Sequence, residues 1–318
     1  MKTTKENKKE VYRTFNLTPD IAQKIFNKYN LGQVSFVKRF EQGMVNDVFS
    51  VDGKYVLKIN SPHADLPKLA KEYVIYESLP KYNIPSPKPF FLDESRDIIP
   101  YPFIITEELL GKTLEKSWET LTIEQKRDYI NKLGELLGKI HNLDANKIHL
   151  EKEKNVAFRV GFENRVNDIA IQLKESDVFS EEKILKIKEF YLNNPLFQEE
   201  IQPSLIHGNY NFANIIVREG VFQGVIDWEW ARFGHSEEEL AVFLWRELAD
   251  DNQKELFKKA YSREHKISEN FEQRYIPYVL LYYLGIMHDV HRWTHRPDKQ
   301  REYIETTDLL IDKLGIDK

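Results

Sequence analysis

Short runs in which apolar and polar residues alternate dominate the first third of the chain. Val48 to Val51 and Tyr55 to Ile59 flank the dipeptide Asp52-Gly53, and an Asp-Gly turn between such runs predicts a β-hairpin. The runs Val34 to Phe36 and Tyr101 to Thr106 have the same β-type composition. The pattern therefore predicts a small antiparallel sheet in this part of the protein.

Helical periodicity accounts for most of the remaining chain. Thr18-Pro19 predicts the start of one helix, and the capping box Thr122-x-x-Gln125 predicts the start of another. Apolar residues from Leu66 to Val74 recur with helical spacing, which places Glu72 on a helix that follows the second hairpin strand. Residues 151–200 are charged and helical in composition. A sheet followed mainly by helices indicates an α+β protein.

The segment 204–233 places polar residues at the ends of β-type runs. His207-Gly208 follows a short apolar run, and the runs Ile215 to Val217 and Val221 to Ile226 predict a second hairpin. Asn214 precedes this hairpin and Asp227 follows it. Because cross-strand neighbours lie ~5 Å apart, an amide oxygen and a carboxylate should converge at the open end. Hard cations such as Mg²⁺ bind oxygen ligands of this kind.

The motif H-G-x-x-x-x-x-N at His207, followed by a hairpin that ends in Ile226-Asp227-Trp228, resembles the aminoglycoside phosphotransferase and choline-kinase-like group of small-molecule kinases. The resemblance extends from about Val34 to Trp245. It implies a bilobal protein-kinase-like α+β fold, with a small antiparallel β N-lobe at residues 1–110 and a large, mainly helical C-lobe at residues 111–318. Nucleotide would then bind in the cleft.

The same resemblance implies roles in nucleotide binding. Lys58 and Glu72 would form the ion pair that kinases use to hold the α- and β-phosphates of ATP or GTP. Glu77 is the competing partner of the lysine. Glu72 is favoured because it lies seven residues before Leu79, the spacing that the family has between its glutamate and a leucine. Backbone groups of Glu107 to Leu109 would bind the purine edge, and the loop from Gln42 to Asp47 would cover the nucleotide.

Carried over position by position, the Mg²⁺ ligands fall on Asn214 and Asp227, and the catalytic position falls on Asn209. The family has an Asp there, which receives the proton of the substrate hydroxyl. An amide can hydrogen-bond to that hydroxyl but cannot accept its proton at neutral pH. An introduced Asp→Asn substitution and a natural pseudokinase would both carry this residue. Because every other part is kept, the first explanation is favoured.

Composition narrows the environment in which such a protein would work. Hydrophobic residues make up 41% of the chain and charged residues 31%, as in soluble globular proteins, and the net charge of −5 argues against a nucleic-acid partner. The absence of Cys excludes disulfides and thiolate metal sites. The N-terminus lacks the apolar core of a signal peptide, and the apolar run from Tyr275 to Met287 is too short to span a membrane. We expect a cytoplasmic protein, monomeric or weakly dimeric, without a membrane partner.

The sequence constrains the acceptor less closely than the nucleotide. Residues 227–251 include eight acidic and two basic residues, which suits a polycationic acceptor such as an aminoglycoside, although a solvated helix face would have the same composition. Candidate acceptor contacts are Glu229, Glu239, Asp289 and Arg292. The segment IDWEWARFGHSEEELAVFLW also resembles the hygromycin-type branch of the family. The alternatives are a homoserine, choline or methylthioribose type of metabolite kinase and a nucleotide-binding pseudokinase.

The spacing of His288, His291 and His295 places the three rings on one helix face and raises the hypothesis of a zinc site. The chain has neither Cys nor an HExxH motif to support zinc binding.

We predict that Asn209→Asp raises turnover roughly 10²–10⁴-fold, which is the usual contribution of a general base. The measurement is acceptor-dependent release of ADP. A variant that turns over no faster than the original chain would rule out this role for position 209.

Overall fold

The structure, a computed structural model, describes residues 15–40, 46–60, 68–143, 148, 158–290 and 297–317. The chain divides into two compact units, residues 1–111 with 223–229 and residues 112–222 with 230–318. The first division falls one residue from the expected lobe boundary at 110. The segment 223–229, which the sequence analysis placed in the C-lobe, groups with the first unit.

Five antiparallel strands form the sheet of the first unit. Their bounds are β1 (Val37–Arg39), β2 (Asp47–Val51), β3 (Tyr55–Ile59), β4 (Pro89–Asp93) and β5 (Phe103–Glu107). The order across the sheet is β1-β2-β3-β5-β4. In the β2–β3 hairpin, Asp52 and Gly53 both have positive φ, at 56° and 63°, as the predicted Asp-Gly turn requires.

Strand β1 begins three residues later than the sequence pattern predicted. The carboxylate of Asp52 accepts hydrogen bonds from the backbone N–H groups of Ser35 and Phe36, at 2.9 and 2.8 Å. These bonds occupy the backbone of the expected strand, Val34 to Phe36, and pairing with β2 starts only at Val37. Strand β4 was not predicted, because it begins at a proline and lies at the sheet edge, where a missing N–H is tolerated.

Two helices contact this sheet. Helix α1 (Pro19–Lys28) is capped by Thr18, as predicted, and its Ile25 and Phe26 pack in one cluster with Leu57 and Ile59 of β3. Side chains alternate between the two faces of a strand. Lys58 therefore points away from this cluster, toward helix α2 (Lys68–Ser78).

The second unit is mainly helical. It contains β6 (Lys112–Thr113), α3 (Leu114–Trp118), α4 (Ile123–His141), α5 (Phe158–Ser176), α6 (Glu181–Leu192), β7 (Ser204–Ile206), β8 (Ile215–Arg218), β10 (Arg232–Gly234), α7 (Ser236–Glu247), α8 (Asp251–Tyr261), α9 (Phe271–Val290) and α10 (Pro297–Leu314). The strand β9 (Val221–Val225) begins in this unit and ends in the first. Strands β6, β8 and β9 form one sheet in that order, and β7 pairs with β10.

The helix start predicted at Thr122 is present. Both bonds of the capping box form, since the Thr122 side chain accepts from the Gln125 N–H and the Gln125 side chain accepts from the Thr122 N–H. Ser180 caps α6 in the same manner as Thr18 caps α1. Within the described ranges, none of the helices combines the length and apolar character needed to cross a membrane.

Helices α4 and α8 approach closely through two glycines. A Cβ on Gly134 would lie 2.7 Å from the Phe257 carbonyl oxygen, and a Cβ on Gly138 would lie 2.7 Å from that of Tyr261. A distance of this size requires the backbone of α8 to move. Glycine, although it weakens an isolated helix by about 1 kcal/mol relative to alanine, is therefore required at this contact.

We predict that Gly134→Ala lowers the free energy of unfolding by about 1–3 kcal/mol, because overpacking outweighs the gain in helix propensity. Gly285 in α9 is the matched control, since a Cβ there would lie 3.8 Å from its nearest neighbour. Gly285→Ala should leave stability unchanged or raise it by up to about 1 kcal/mol. Urea unfolding compares the two variants. Equal effects of both substitutions would contradict the packing argument.

Candidate active site

Lys58 lies at the centre of a buried group of carboxylates in the first unit. Its Nζ donates to Glu72 Oε2 at 2.7 Å and to Asp227 Oδ1 at 2.6 Å, and Glu229 Oε2 lies 3.5 Å away. Lys58 comes from β3 and Glu72 from α2, while Asp227 and Glu229 follow β9. The structure thus brings the predicted lysine and glutamate together. Glu77, the competing candidate, does not bond to Lys58 among the described contacts.

The charges of this group explain how a lysine can be buried. Burial lowers the pKa of the Lys58 ammonium, but the negative charges of Asp227, Glu72 and Glu229 outweigh it and hold that pKa well above its usual value. Three carboxylates surround one ammonium, so negative charge remains in excess. A region with this charge balance attracts further cations.

The oxygen atoms of this group fit a hard divalent cation. One carboxylate oxygen from each of Glu72, Asp227 and Glu229 lies within 4.8 Å of the others. The side chain of Asp227 is 36% exposed, so a cation can reach it. Asn46 donates to Glu229 through Nδ2, and its Oδ1 is buried with no hydrogen-bond partner among the described residues. Carboxylate and amide oxygens are ligands that Mg²⁺ prefers.

The expected purine-binding segment has one N–H that is free to donate. The Glu107 N–H donates to the Lys88 carbonyl at 2.8 Å, and the Glu108 N–H donates to the Lys54 carbonyl at 2.9 Å. Both N–H groups are therefore engaged within the first unit. Within the described ranges the Leu109 N–H has no acceptor. It is the donor in this segment that a ligand could use.

In the second unit, Asn209 belongs to a loop whose asparagines hydrogen-bond to one another. Asn211 Nδ2 donates to Asn209 Oδ1 at 2.8 Å, and Asn211 Oδ1 accepts from the N–H groups of Ala213 and Asn214. Asn214 Nδ2 donates to the Asn209 carbonyl at 3.0 Å. This last bond engages the amide nitrogen of Asn214, while its amide oxygen is the atom that could act as a metal ligand.

The carboxylate of Glu239 accepts hydrogen bonds from the backbone at the start of this loop. It accepts from the N–H of His207 at 2.9 Å and from the N–H of Gly208 at 2.6 Å, and His141 Nε2 lies 3.0 Å away. Gly208 has φ 82°, and a Cβ there would overlap the Trp230 carbonyl. The loop thus depends on a glycine and on a buried carboxylate that sequence reasoning had considered for the acceptor.

The acids of α7 are not a surface for an acceptor, and they are not a solvated helix face. All three side chains of Glu237–Glu239 are buried. Glu237 contacts Arg274, and Glu238 bonds to Arg165 and Arg232, each at 2.6 Å. Neither expectation for residues 227–251 describes Glu237–Glu239, because two of their arginine partners, Arg165 and Arg274, lie outside that segment, where a local charge count could not find them.

Several expected residues cannot be placed. Arg292, His291, His295 and residues 41–45 of the nucleotide-covering loop lie outside the described residues, as do the side chains of His288 and Asp289. Glu229 is buried beside Lys58 and is engaged by Asn46. Sequence reasoning also missed Tyr76, which bonds to both Glu72 and the Asp227 backbone. Its spacing of four residues from Glu72 was the available signal.

Comparison with known proteins shows the family of the chain and its fold. The sequence model of the family described as "Phosphotransferase enzyme family" matches residues 37–272, most of the chain. No curated protein matches the sequence.

Solved structures with the same fold include several aminoglycoside phosphotransferases. One of these structures is a Ralstonia eutropha JMP134 protein that is described as an aminoglycoside phosphotransferase by inference. It gives a TM-score of 0.72 at 17% identity, and the match covers 92% of this chain and 95% of that one. The GDP and kanamycin complex of APH(2")-IIIa gives 0.71 at 13% identity, covering 93% and 99%. The streptomycin–ATP ternary complex of APH(2")-IIa gives 0.66 at 18% identity, covering 92% and 98%. These likenesses confirm the predicted bilobal, kinase-like α+β fold.

We predict that Glu239→Gln lowers the free energy of unfolding at pH 7 by about 3 kcal/mol, because an amide group would face backbone N–H donors. Burial alone would raise the pKa of Glu239, but hydrogen bonds from His141 and the loop backbone outweigh it and lower that pKa. The carboxylate therefore stabilises the fold above its unfolded pKa of about 4.3, and this contribution is lost as pH falls through the lower, folded value.

Urea unfolding between pH 7 and pH 3 checks this prediction. The difference between the original chain and Glu239→Gln should shrink toward the acid end. Glu219→Gln is the control, since the Glu219 side chain is 83% exposed, and it should change stability by less than about 0.5 kcal/mol. A constant difference across the pH range would exclude the ionised carboxylate as the source of the stabilisation.

Proposed function

This chain belongs to the phosphotransferase enzyme family, and we propose that it transfers the γ-phosphoryl group of ATP or GTP to a hydroxyl of an aminoglycoside-type small molecule. The observation that carries the proposal is the Lys58 group, in which one buried ammonium bonds to both Glu72 and Asp227. A lysine held by a helical glutamate beside a metal-binding aspartate is the phosphate-binding arrangement of kinases.

The nature of the acceptor is inferred from proteins of the same fold. One of them was solved with GDP and kanamycin, and another with ATP and streptomycin. Both pair a purine nucleotide with an aminoglycoside, which supports the same substrate classes here. A metabolite with a hydroxyl group, of the homoserine, choline or methylthioribose type, is the alternative acceptor. We place the protein in the cytoplasm, as a monomer or weak dimer.

Each residue of the site has a part in binding the nucleotide. Lys58 would exchange Asp227 for oxygens of the α- and β-phosphates, and Glu72 would continue to hold its ammonium. Asp227 and Asn214 would hold Mg²⁺, which neutralises phosphate charge when bound. Leu109 would donate its free N–H to the purine edge. Among aminoglycosides, a hygromycin-type antibiotic is one candidate acceptor.

Asn209 orients the acceptor hydroxyl in this proposal. Its Oδ1 already accepts a hydrogen bond from Asn211, and an amide accepts no proton at neutral pH. Turnover should therefore be slow although the nucleotide binds. The presence of an amide at this position also supports a second candidate function, that of a nucleotide-binding pseudokinase without catalytic activity.

We predict that Mg–ATP or Mg–GTP at about 100 times its Kd stabilises the protein by about 2.7 kcal/mol, which raises Tm by several degrees. Lys58→Met should abolish this shift. Lys28→Met is the matched control, because Lys28 also bonds to carboxylates, those of Asp93 and Asp97, but lies outside the Lys58 group. If Lys58→Met retained the full shift, the proposed phosphate site would be wrong.

The two candidate functions differ in one further measurement. Adding kanamycin or streptomycin to the Asn209→Asp variant with Mg–ATP should release ADP if the chain is a phosphotransferase. Asn211→Asp adds the same charge two residues away and should give no such gain. Nucleotide binding without acceptor-dependent ADP release in Asn209→Asp would favour the pseudokinase.

A further inference from the structure

The side chain of Tyr76 connects the two carboxylate-bearing segments of the Lys58 group. Its hydroxyl donates to Glu72 Oε1 at 2.9 Å and accepts from the Asp227 N–H at 3.0 Å. Tyr76 follows Glu72 by one helical turn on α2, so both side chains lie on one helix face. The tyrosine is buried. Nothing in the proposed chemistry above uses it.

The hydrogen bonds around this hydroxyl converge on the carboxylate of Glu72. The Asp227 N–H donates to the Tyr76 oxygen, the Tyr76 proton is donated to Glu72, and the other oxygen of Glu72 accepts from Lys58. Burial raises the pKa of Tyr76 well above its usual value, so the hydroxyl keeps the proton that it donates. A phenylalanine would fill the same space but would remove both bonds.

The backbone that receives this support is strained. Asp227 has φ 68°, a left-handed conformation that residues with a side chain adopt uncommonly. Its N–H needs an acceptor, since an unpaired buried donor is unfavourable. Tyr76 supplies one. The direction of the Asp227 carboxylate follows from this backbone conformation, so the hydroxyl acts on the side chain through the main chain.

We propose that Tyr76 is a positioning residue of the nucleotide site, whose hydroxyl sets the geometry of Lys58 through Glu72 and that of Asp227 through its backbone. The inference rests on the proposed function, because it assumes that these two groups bind phosphate and Mg²⁺. One hydroxyl then aligns both charges that Mg–nucleotide must meet, the ammonium and the carboxylate. Tyr76 itself touches neither nucleotide nor metal.

The test compares Tyr76→Phe with the original full-length chain by titration with ATP, with and without Mg²⁺. We expect the Kd for Mg–ATP to rise about tenfold, as for loss of a hydrogen bond to a charged group. We also expect the ratio of the affinities with and without Mg²⁺ to fall, because Asp227 is less well placed. A purely structural role for Tyr76 would lower Tm without changing this ratio.

Tyr129→Phe is the matched control. Tyr129 is a buried tyrosine whose hydroxyl has no hydrogen-bond partner among the described residues. Removal of that oxygen should change the Kd for Mg–ATP by less than twofold. A tenfold effect in both variants would overturn the proposal, since it would show a general response to loss of a buried hydroxyl.

The outcomes separate this inference from the proposed function. If the original chain binds no Mg–ATP, the proposed function fails, and the inference fails with it. If the original chain binds Mg–ATP and Tyr76→Phe binds it equally well, only the positioning role fails.

Hydrogen–deuterium exchange on the original chain tests the same bond even if Tyr76→Phe does not fold. The Asp227 amide should exchange slowly without nucleotide, because the amide proton is hydrogen-bonded to the Tyr76 oxygen. Fast exchange at this amide would overturn the proposal.

Discussion

The buried ammonium of Lys58 is the constraint on which the first unit depends. An unpaired ammonium in a protein interior is highly unfavourable, so the fold requires the surrounding carboxylates. The strand Tyr55–Ile59 presents Leu57 and Ile59 to α1 and Lys58 to the opposite face. A shift of the strand by one residue would place the charge in the apolar cluster. The ion pairs therefore fix both the register of β3 and the position of α2.

Buried carboxylates with hydrogen-bond partners also stabilise the second unit. The carboxylate of Glu239 holds two backbone N–H groups at the start of the Asn209 loop, while Glu238 lies between two arginines. Burial raises the pKa of Glu238, but the charges of Arg165 and Arg232 lower it further than burial raises it. Glu239 therefore orders the loop, and Glu238 holds the two arginines together, so both carboxylates are engaged within the fold. Local acidity in a sequence is therefore a poor indicator of an acidic surface.

Local signals predicted much of this protein correctly. The Asp52-Gly53 turn and the Thr122 capping box each depend on residues close in sequence, and each is present. The Lys58–Glu72 pair, which the family resemblance implied, is present as well. Features that depend on distant residues were missed. Tyr76 reaches Asp227 across 151 positions, and Arg165 reaches Glu238 across 73. No periodicity encodes such contacts, so only the folded chain shows which polar groups are already satisfied.

At Asn209, the hydrogen bond that holds the loop and the proton acceptance that a general base requires are separate properties of the side chain. The Oδ1 of Asn209 accepts from Asn211, while its Nδ2 donates no hydrogen bond within the described ranges. A carboxylate at this position would accept the same bond, and more strongly, because it is charged. The loop conformation thus does not depend on the amide. Between the two side chains, the chemical difference that remains is the capacity to accept a proton at neutral pH.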